Sequence, residues 1–508
     1  MKIKYLLYII LCIKFAYTQF EWQVNGTPIR QGYHIEWYRG GDSDAEGNMI
    51  VVWSDTRTSS RDVYAQKVDV NGNVLWDENG VLISGGSGRQ EDPIVIADNS
   101  GGAYITWRNY DNDPIYGEIY AGYINSLGEV LWTNVKVSGD LPIRINSQQN
   151  MCSDRSGGAY VTWYEDLNAG SGNYWGTHLN SDGSFEGPHQ LINTNQNYGN
   201  VSLESAGNGD AVIVWKEGDF GQENIYAQRI SVINNNLEIL WSPLIVSEEE
   251  GTQTSPKVTY FSDDYVVIVW QDQSNDNYSV NANFIDSEGQ LKFQSGNDVV
   301  YTTNTSSPLF PRVKATYQGA FVVWLSADDI HYVQKLTPDN LVNWNEPISL
   351  DNGQKQQQAR LSASEDGGVY ISWEDGEFEN KSIAISYINS NGVSLFSKVI
   401  SDIDKEQFSP LVRSFGDGAY VVWGDGALNA NGIGSLGLNY QWILSSGDVL
   451  EDDVEIFYGF GGQIEKGSSK SIYFSSSNNL IYWQDYRNGT DNPQTYGTLI
   501  DTEGQAYE

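Results

Sequence analysis

The chain has 508 residues and carries 29 Lys and Arg against 66 Asp and Glu, a formal charge of −37. The basic residues do not cluster along the sequence, which argues against a nucleic-acid partner, because phosphate recognition needs concentrated positive charge. The 52 Gly, 32 Tyr and 17 Trp, without any long stretch of helical periodicity, point to a turn-rich, aromatic-filled all-β protein.

Residues 1–18 have the three-part pattern of an export signal: Lys2 and Lys4, the apolar run Tyr5 to Ile13, then Ala16-Tyr17-Thr18 before a change to polar sequence. The apolar run is far shorter than the ~20 residues that span a bilayer, so no membrane span is expected. Residues 19–508 then form the mature domain, secreted or held at the cell surface. Only Cys152 remains in it, so no internal disulfide is available and core packing must hold the fold.

Trp22-Gln23-Val24-Asn25-Gly26 repeats the pattern of Trp76-Asp77-Glu78-Asn79-Gly80, a fourth-strand sequence standing at the start of the mature chain. Next comes Asp42-Ser43-Asp44-Ala45-Glu46-Gly47-Asn48, with oxygen ligands at alternate positions. Two readings stand: a structural calcium site built from Asp42, Asp44, Glu46 and Asn48, or a hairpin turn. Trp53 at the twelfth position excludes an EF-hand loop, which needs a bidentate Glu there.

From there an apolar run ending in tryptophan recurs at intervals of 49 to 60 residues, at Trp53, Trp107, Trp163, Trp215, Trp270, Trp324, Trp373, Trp423 and Trp483. Each unit carries four strand signals in fixed order, shown by PIVIAD, GGAYITW, EIYAGYIN and EVLWTNVKVS in the second. Small sheets repeated at this period bury their faces only against their neighbours, as propeller blades do. The expected fold is therefore a single closed β-propeller of four-stranded blades, nine in number, or eight with one degenerate repeat. The last unit, ending in YGTLIDTEG, lacks a fourth strand, and the N-terminal strand is expected to supply it.

Inside the units, turns such as Asp98-Asn99-Ser100-Gly101-Gly102 and Asp154-Arg155-Ser156-Gly157-Gly158 join first and second strands, and Asp or Asn three residues before Gly joins third and fourth. The repeated tryptophan is read as packing between sheets. The residue two positions after it is acidic in seven of nine units; it either caps the following loop, pairing at times with Arg57 or Arg487, or contributes to a ring of carboxylates. A Gln-x-x-Pro precedes the inner strand at Gln90, Gln253 and Gln407 and is read as fixing the chain where it enters the centre. Irregular sequence concentrates in the loops between second and third strands. Tyr110, Asp111, Asp113 and Tyr116, with Tyr164, Glu165, Asp166, Tyr486 and Arg487, mix rings with carboxylates there and are the candidate ligand-binding residues.

The string VVWSDTRTSSRDVYAQKVDVNGNVLWDENGVLIS resembles a repeat of exported bacterial proteins, with the pattern Trp-x-Asp-x-Arg, Asp-Ile-Tyr-Ala-Gln and Asn-Gly-x-x-x-Trp. That resemblance covers nearly all of the mature chain and implies a secreted propeller. The turn-and-tryptophan element also resembles pyrroloquinoline-quinone propellers and a related outer-membrane assembly scaffold. The quinone dehydrogenases of that type use vicinal cysteines, and this chain has no cysteine pair.

His34, His178, His189 and His331 lack metal-ligand spacing, and no nucleophile-elbow, HExxH or phosphate-loop signature occurs. The functional expectation is a non-catalytic, monomeric scaffold that binds a glycan or an extracellular protein through its loop face. The alternative is a glycoside hydrolase or lyase that uses paired carboxylates on a polysaccharide.

Overall fold

The computed structural model describes residues 27–28, 36–46, 48–58, 60–68, 74–98, 100–112, 117–139, 149–168, 171–193, 197–234, 236–274, 277–294, 298–303, 309–377, 380–401, 407–415, 417–426, 436–449, 454–458, 471–474, 479–485 and 494–500. Among them every regular element is a β-strand, and the strands form nine antiparallel sheets. In chain order these are sheet 1 (36–84), sheet 2 (90–136), sheet 3 (150–193), sheet 4 (197–247), sheet 5 (252–303), sheet 6 (312–349), sheet 7 (356–401), sheet 8 (407–458) and sheet 9 (471–500).

In sheets 1 to 8 consecutive strands are neighbours, and in sheet 4 the fourth strand is split into Asn236–Ile239 and Leu244–Ser247, both paired with Asn224–Ile233. Sheet 9 takes its outermost strand from the other end of the chain: Thr27 pairs with Gly497 and Pro28 with Tyr496. Thr27 and Pro28 thus take the fourth-strand place of sheet 9, directly after Trp22–Gly26, the segment expected to supply it, which lies outside the described residues. No described helix is long and apolar enough to cross a membrane.

Second strands such as Ala103–Asn109 are buried almost throughout, because both faces of the sheet are covered; a near-continuous apolar run is the sequence sign of that. One core holds Ile50, Val52, Ala65 and Ile83 of sheet 1 with Val95, Ile105 and Trp107 of sheet 2. Equivalent cores join sheets 2 and 3, 3 and 4, 4 and 5, 5 and 6, 6 and 7, and 7 and 8. The eight tryptophans from Trp53 to Trp423 that end the second strands of sheets 1 to 8 are all fully buried, and those from Trp107 onward lie in these cores. Third-strand aromatics stack on several, as Tyr226 does on Trp215 at 5.7 Å.

The first strands also touch in succession. Glu36–Ser43 contacts Gln90–Ala97, then follow Asn150–Ser153, Asn197–Ser205, Thr252–Ser262, Arg312–Thr316, Gln356–Ala363, Gln407–Phe415 and Ser471–Phe474, which contacts Glu36–Ser43 again.

The first strands of sheets 2, 5, 7 and 8 are anchored by the Gln-x-x-Pro element or its variant. The backbone N–H groups of Gln90, Gln253, Gln356 and Gln407 donate to Arg61, Glu223, Asp329 and Lys381 carbonyls of the preceding sheet. The Gln356 and Gln407 side-chain oxygens accept the amides of His331 and Ile383. A bulge follows, with Asp92, Ser255 and Gln358 at positive φ. The Gln253 and Gln356 Nε2 groups donate to the Glu249 and Leu350 carbonyls, in keeping with the fixing role.

Candidate functional site: a basic wall and an adjoining cavity

At the Asp42–Asn48 segment the structure builds a hairpin turn. Asp44 Oδ1 accepts the amides of Glu46 and Asn48 at 3.0 and 2.8 Å, its other oxygen accepts Asn48 Nδ2 at 2.9 Å, and Lys67 Nζ lies 2.6 Å away. The Asp42 carboxylate turns to the neighbouring sheet and accepts Ala97 N at 2.9 Å. Glu46 is exposed. Donors hold the Asp44 and Asp42 carboxylates, and among the described residues no group of three or more His, Cys, Asp or Glu could hold a metal ion.

The loop-face candidates are tied into their own sheets. Tyr110 is 5% exposed, beneath the Arg89 and Arg108 guanidinium groups at 4.1 and 5.5 Å. Asp111 is exposed and accepts the Gly88 amide. Tyr164 is half-buried in the core between sheets 3 and 4, and Glu165 is buried, accepting Asn173 Nδ2 and Trp175 Nε1 at 2.9 and 2.7 Å. Asp166 pairs through its backbone with Gly172; its side chain, and the whole of Asp113, Tyr116, Tyr486 and Arg487, lie outside the described residues.

The acidic residue after the tryptophan has a use that spacing alone did not disclose. Trp53, Trp215 and Trp373 donate their indole N–H to Asp55, Glu217 and Asp375 at 3.1, 2.9 and 2.9 Å. Loop capping and arginine pairing hold as well: Asp55 accepts Arg57 N and its guanidinium, and Asn109 accepts Asp111 N.

Positive charge gathers where the sequence had suggested none. The first strands of sheets 5 to 8 carry Lys257, Arg312, Lys314, Arg360 and Arg413. Lys257, Arg312 and Arg360 pair with Val269, Val323 and Ser372, each one residue before its tryptophan, and so form one tier. Lys314 and Arg413 pair with Phe321 and Tyr420, two residues earlier, and form a second. Among the described residues none of the five has an ion pair, whereas Arg57, Lys67, Arg229 and Lys381 are each held by a carboxylate.

Four of the five are exposed and Arg360 half-buried, yet protein encloses them enough to shift their titration. Burial pushes the pKa of Lys257 down, with Arg312 adding to it, and pushes Arg312 down, with Arg360 adding. Lys314 is lowered by burial, against the pull of Glu204, and Arg413 by burial alone. Wet, unpaired like charges facing a partly enclosed space attract an anion, because the anion removes both the repulsion and the desolvation cost.

Beside the tier of Lys257, Arg312 and Arg360 a cavity of about 360 Å³ lies between sheets 6 and 7, lined by Phe310, Arg312, Trp324, Asp329, His331 and Gln358, among others. His331 is 3% exposed, and its Nδ1 has no hydrogen-bond partner; the Trp324 Nε1 is in the same state, as are those of Trp107, Trp163, Trp270 and Trp423. Burial pushes the His331 pKa down to about 4; the Gln356 side chain opposes this and the charge of Arg312 adds to it. The imidazole is therefore neutral at ordinary pH.

Sequence reasoning missed the wall because it looked for runs of basic residues. The signal lay across repeats: Pro256-Lys257, Pro311-Arg312 and Ala359-Arg360 place a cation at the same step after the first-strand bulge.

No protein-family model matches this sequence, and no curated protein matches it. Among solved structures the chain is similar to a eukaryotic initiation factor (11% identity, 84% of this chain and 90% of that one, TM-score 0.46). It is also similar to the polysaccharide lyase Uly1 (10% identity, 92% and 97%, TM-score 0.41). A third likeness is to an alpha-L-arabinanase of Penicillium chrysogenum complexed with arabinobiose (12% identity, 59% and 92%, TM-score 0.32). Similarity at this level assigns no family and no activity to the chain.

Proposed function

We propose that this chain is a closed nine-bladed β-propeller, exported by residues 1–18, that acts as a monomeric, non-catalytic scaffold binding an anionic glycan along its inner strands. The observation that carries the reading is the set of five cations, Lys257, Arg312, Lys314, Arg360 and Arg413, on successive first strands without ion pairs among the described residues, in a chain of charge −37. Closure is supported by the succession of first-strand contacts that returns to its start, and by the pairing of Thr27 and Pro28 with the last strand.

The non-catalytic part of the reading is supported by how the carboxylates are used. Asp55, Glu217 and Asp375 sit one to a sheet and accept from their own tryptophans, so they are spread rather than gathered about one cleft. A slender polyanion suits a partly enclosed space better than a folded protein surface does. Residues 19–508 should therefore be retained on uronate-bearing or sulfated polysaccharides and not on neutral ones, and should release no new reducing ends or unsaturated sugars. Product release would replace the scaffold reading with the enzyme; loss of retention on every anionic polymer would sink it.

A further inference from the structure

Resting on that reading, we propose that the cavity between sheets 6 and 7 is a subsite for a single anionic sugar residue, with Arg312 receiving its carboxylate or sulfate and Phe310 supporting its apolar face. The volume of about 360 Å³ falls at the lower end of small-ligand sites, ~300–1,000 Å³, so it takes one or two sugar units and not a length of polymer. Arg312 has no ion pair among the described residues and presents a planar fork suited to two oxygens of one anionic group.

His331 and Trp324 both line the same space, and each keeps one buried ring nitrogen, Nδ1 and Nε1, without a hydrogen-bond partner. Neutral imidazole offers one donor and one acceptor, so it matches a hydroxyl in either sense. Asp329, part-exposed at the rim, adds a carboxylate acceptor for a further hydroxyl.

Phe310 completes the chemistry. It is 58% exposed at φ 43°, a backbone conformation that side chains other than glycine seldom adopt, and it heads the Arg312–Thr316 strand. An exposed ring beside a guanidinium fits a sugar better than an inorganic anion, which would have no use for the ring.

The subsite and the wall separate in one calorimetric experiment. The probes are a uronate disaccharide, a sulfated disaccharide and a neutral disaccharide, together with a long uronate polymer. The proteins are wild type, Phe310→Ala, His331→Asn and the double variant Lys314→Ala/Arg413→Ala, each checked for an unchanged unfolding midpoint. Wild type should bind at least one anionic disaccharide and not the neutral one. Phe310→Ala should weaken that binding about tenfold while leaving the polymer nearly as tight. The double variant should do the reverse.

Polymer binding with no disaccharide binding, or disaccharide binding indifferent to Phe310→Ala, overturns the subsite and leaves the wall standing. Equal binding of the neutral sugar overturns the role of Arg312. Absence of binding to polymer and disaccharides alike overturns both. Because Phe310 is exposed, its variant should fold even if His331→Asn does not.

Discussion

The indole nitrogen of Trp53 and the guanidinium of Arg57 converge on Asp55, so one buried carboxylate joins a core tryptophan to the loop above it. Asp55→Ala strands a buried indole N–H and frees the loop, and should lower stability by about 1–3 kcal/mol in urea unfolding. Glu217→Ala, which also bares a tryptophan N–H, should cost less, since Glu217 has no arginine two positions on. His331 makes the folded state pH-sensitive. An unfolded histidine titrates near 6.5 and the folded one at about 4, so between those values the unfolded chain takes up a proton that the folded chain refuses. The stability is fully present above pH ~6.5 and is lost as pH falls toward ~4, with about 2 kcal/mol gone by pH ~5. His331→Gln should flatten that part of the pH profile; an unchanged profile would mean that His331 is not the titrating group. The tryptophans, the acids and their spacing were all legible in the sequence. The indole-to-carboxylate bond was not, because a spacing of two residues on a strand end is equally consistent with a loop cap.

At the scale of elements, the glycine turns between third and fourth strands meet outer-strand tryptophans of the preceding sheet. Gly128, Gly183, Gly289 and Gly392 in the turns between third and fourth strands lie at φ 81° to 85°, under Trp76, Trp132, Trp241 and Trp344 of the sheet before. Trp76 Nε1 also donates to Ser126 O and Trp132 Nε1 to Ser181 O, at 3.2 and 3.0 Å. A Cβ on Gly128 would sit 2.6 Å from Trp76, whereas one on Gly157 would meet nothing within 4 Å. Both alanine variants carry backbone strain, but Gly128→Ala adds a clash and should be less stable than Gly157→Ala by about 1–3 kcal/mol. Equal losses in thermal unfolding would refute the interlock. No single repeat contains both partners, so periodicity alone could not reveal the contact.

At the scale of the whole molecule, the repeat length, the four-strand unit and the transfer of the N-terminal strand to the last sheet were foreseeable, since each is written in recurring turns and strand endings. The basic wall was hidden because its members are spread from residue 257 to residue 413 and meet only when their first strands come side by side. The same wall burdens the fold: enclosed like charges repel, so Arg360→Gln should raise the urea midpoint while weakening the binding of a polyanion. A fall in both would assign Arg360 to structure alone.

The most direct test is the salt dependence of uronate-polymer binding, compared between wild type and Lys257→Gln/Lys314→Gln/Arg413→Gln. Ion release predicts that log affinity falls linearly with log salt, and that removing three cations lowers the slope by about one for each. Binding whose affinity and slope are the same in the triple variant would contradict the placement of the anionic ligand on the inner strands.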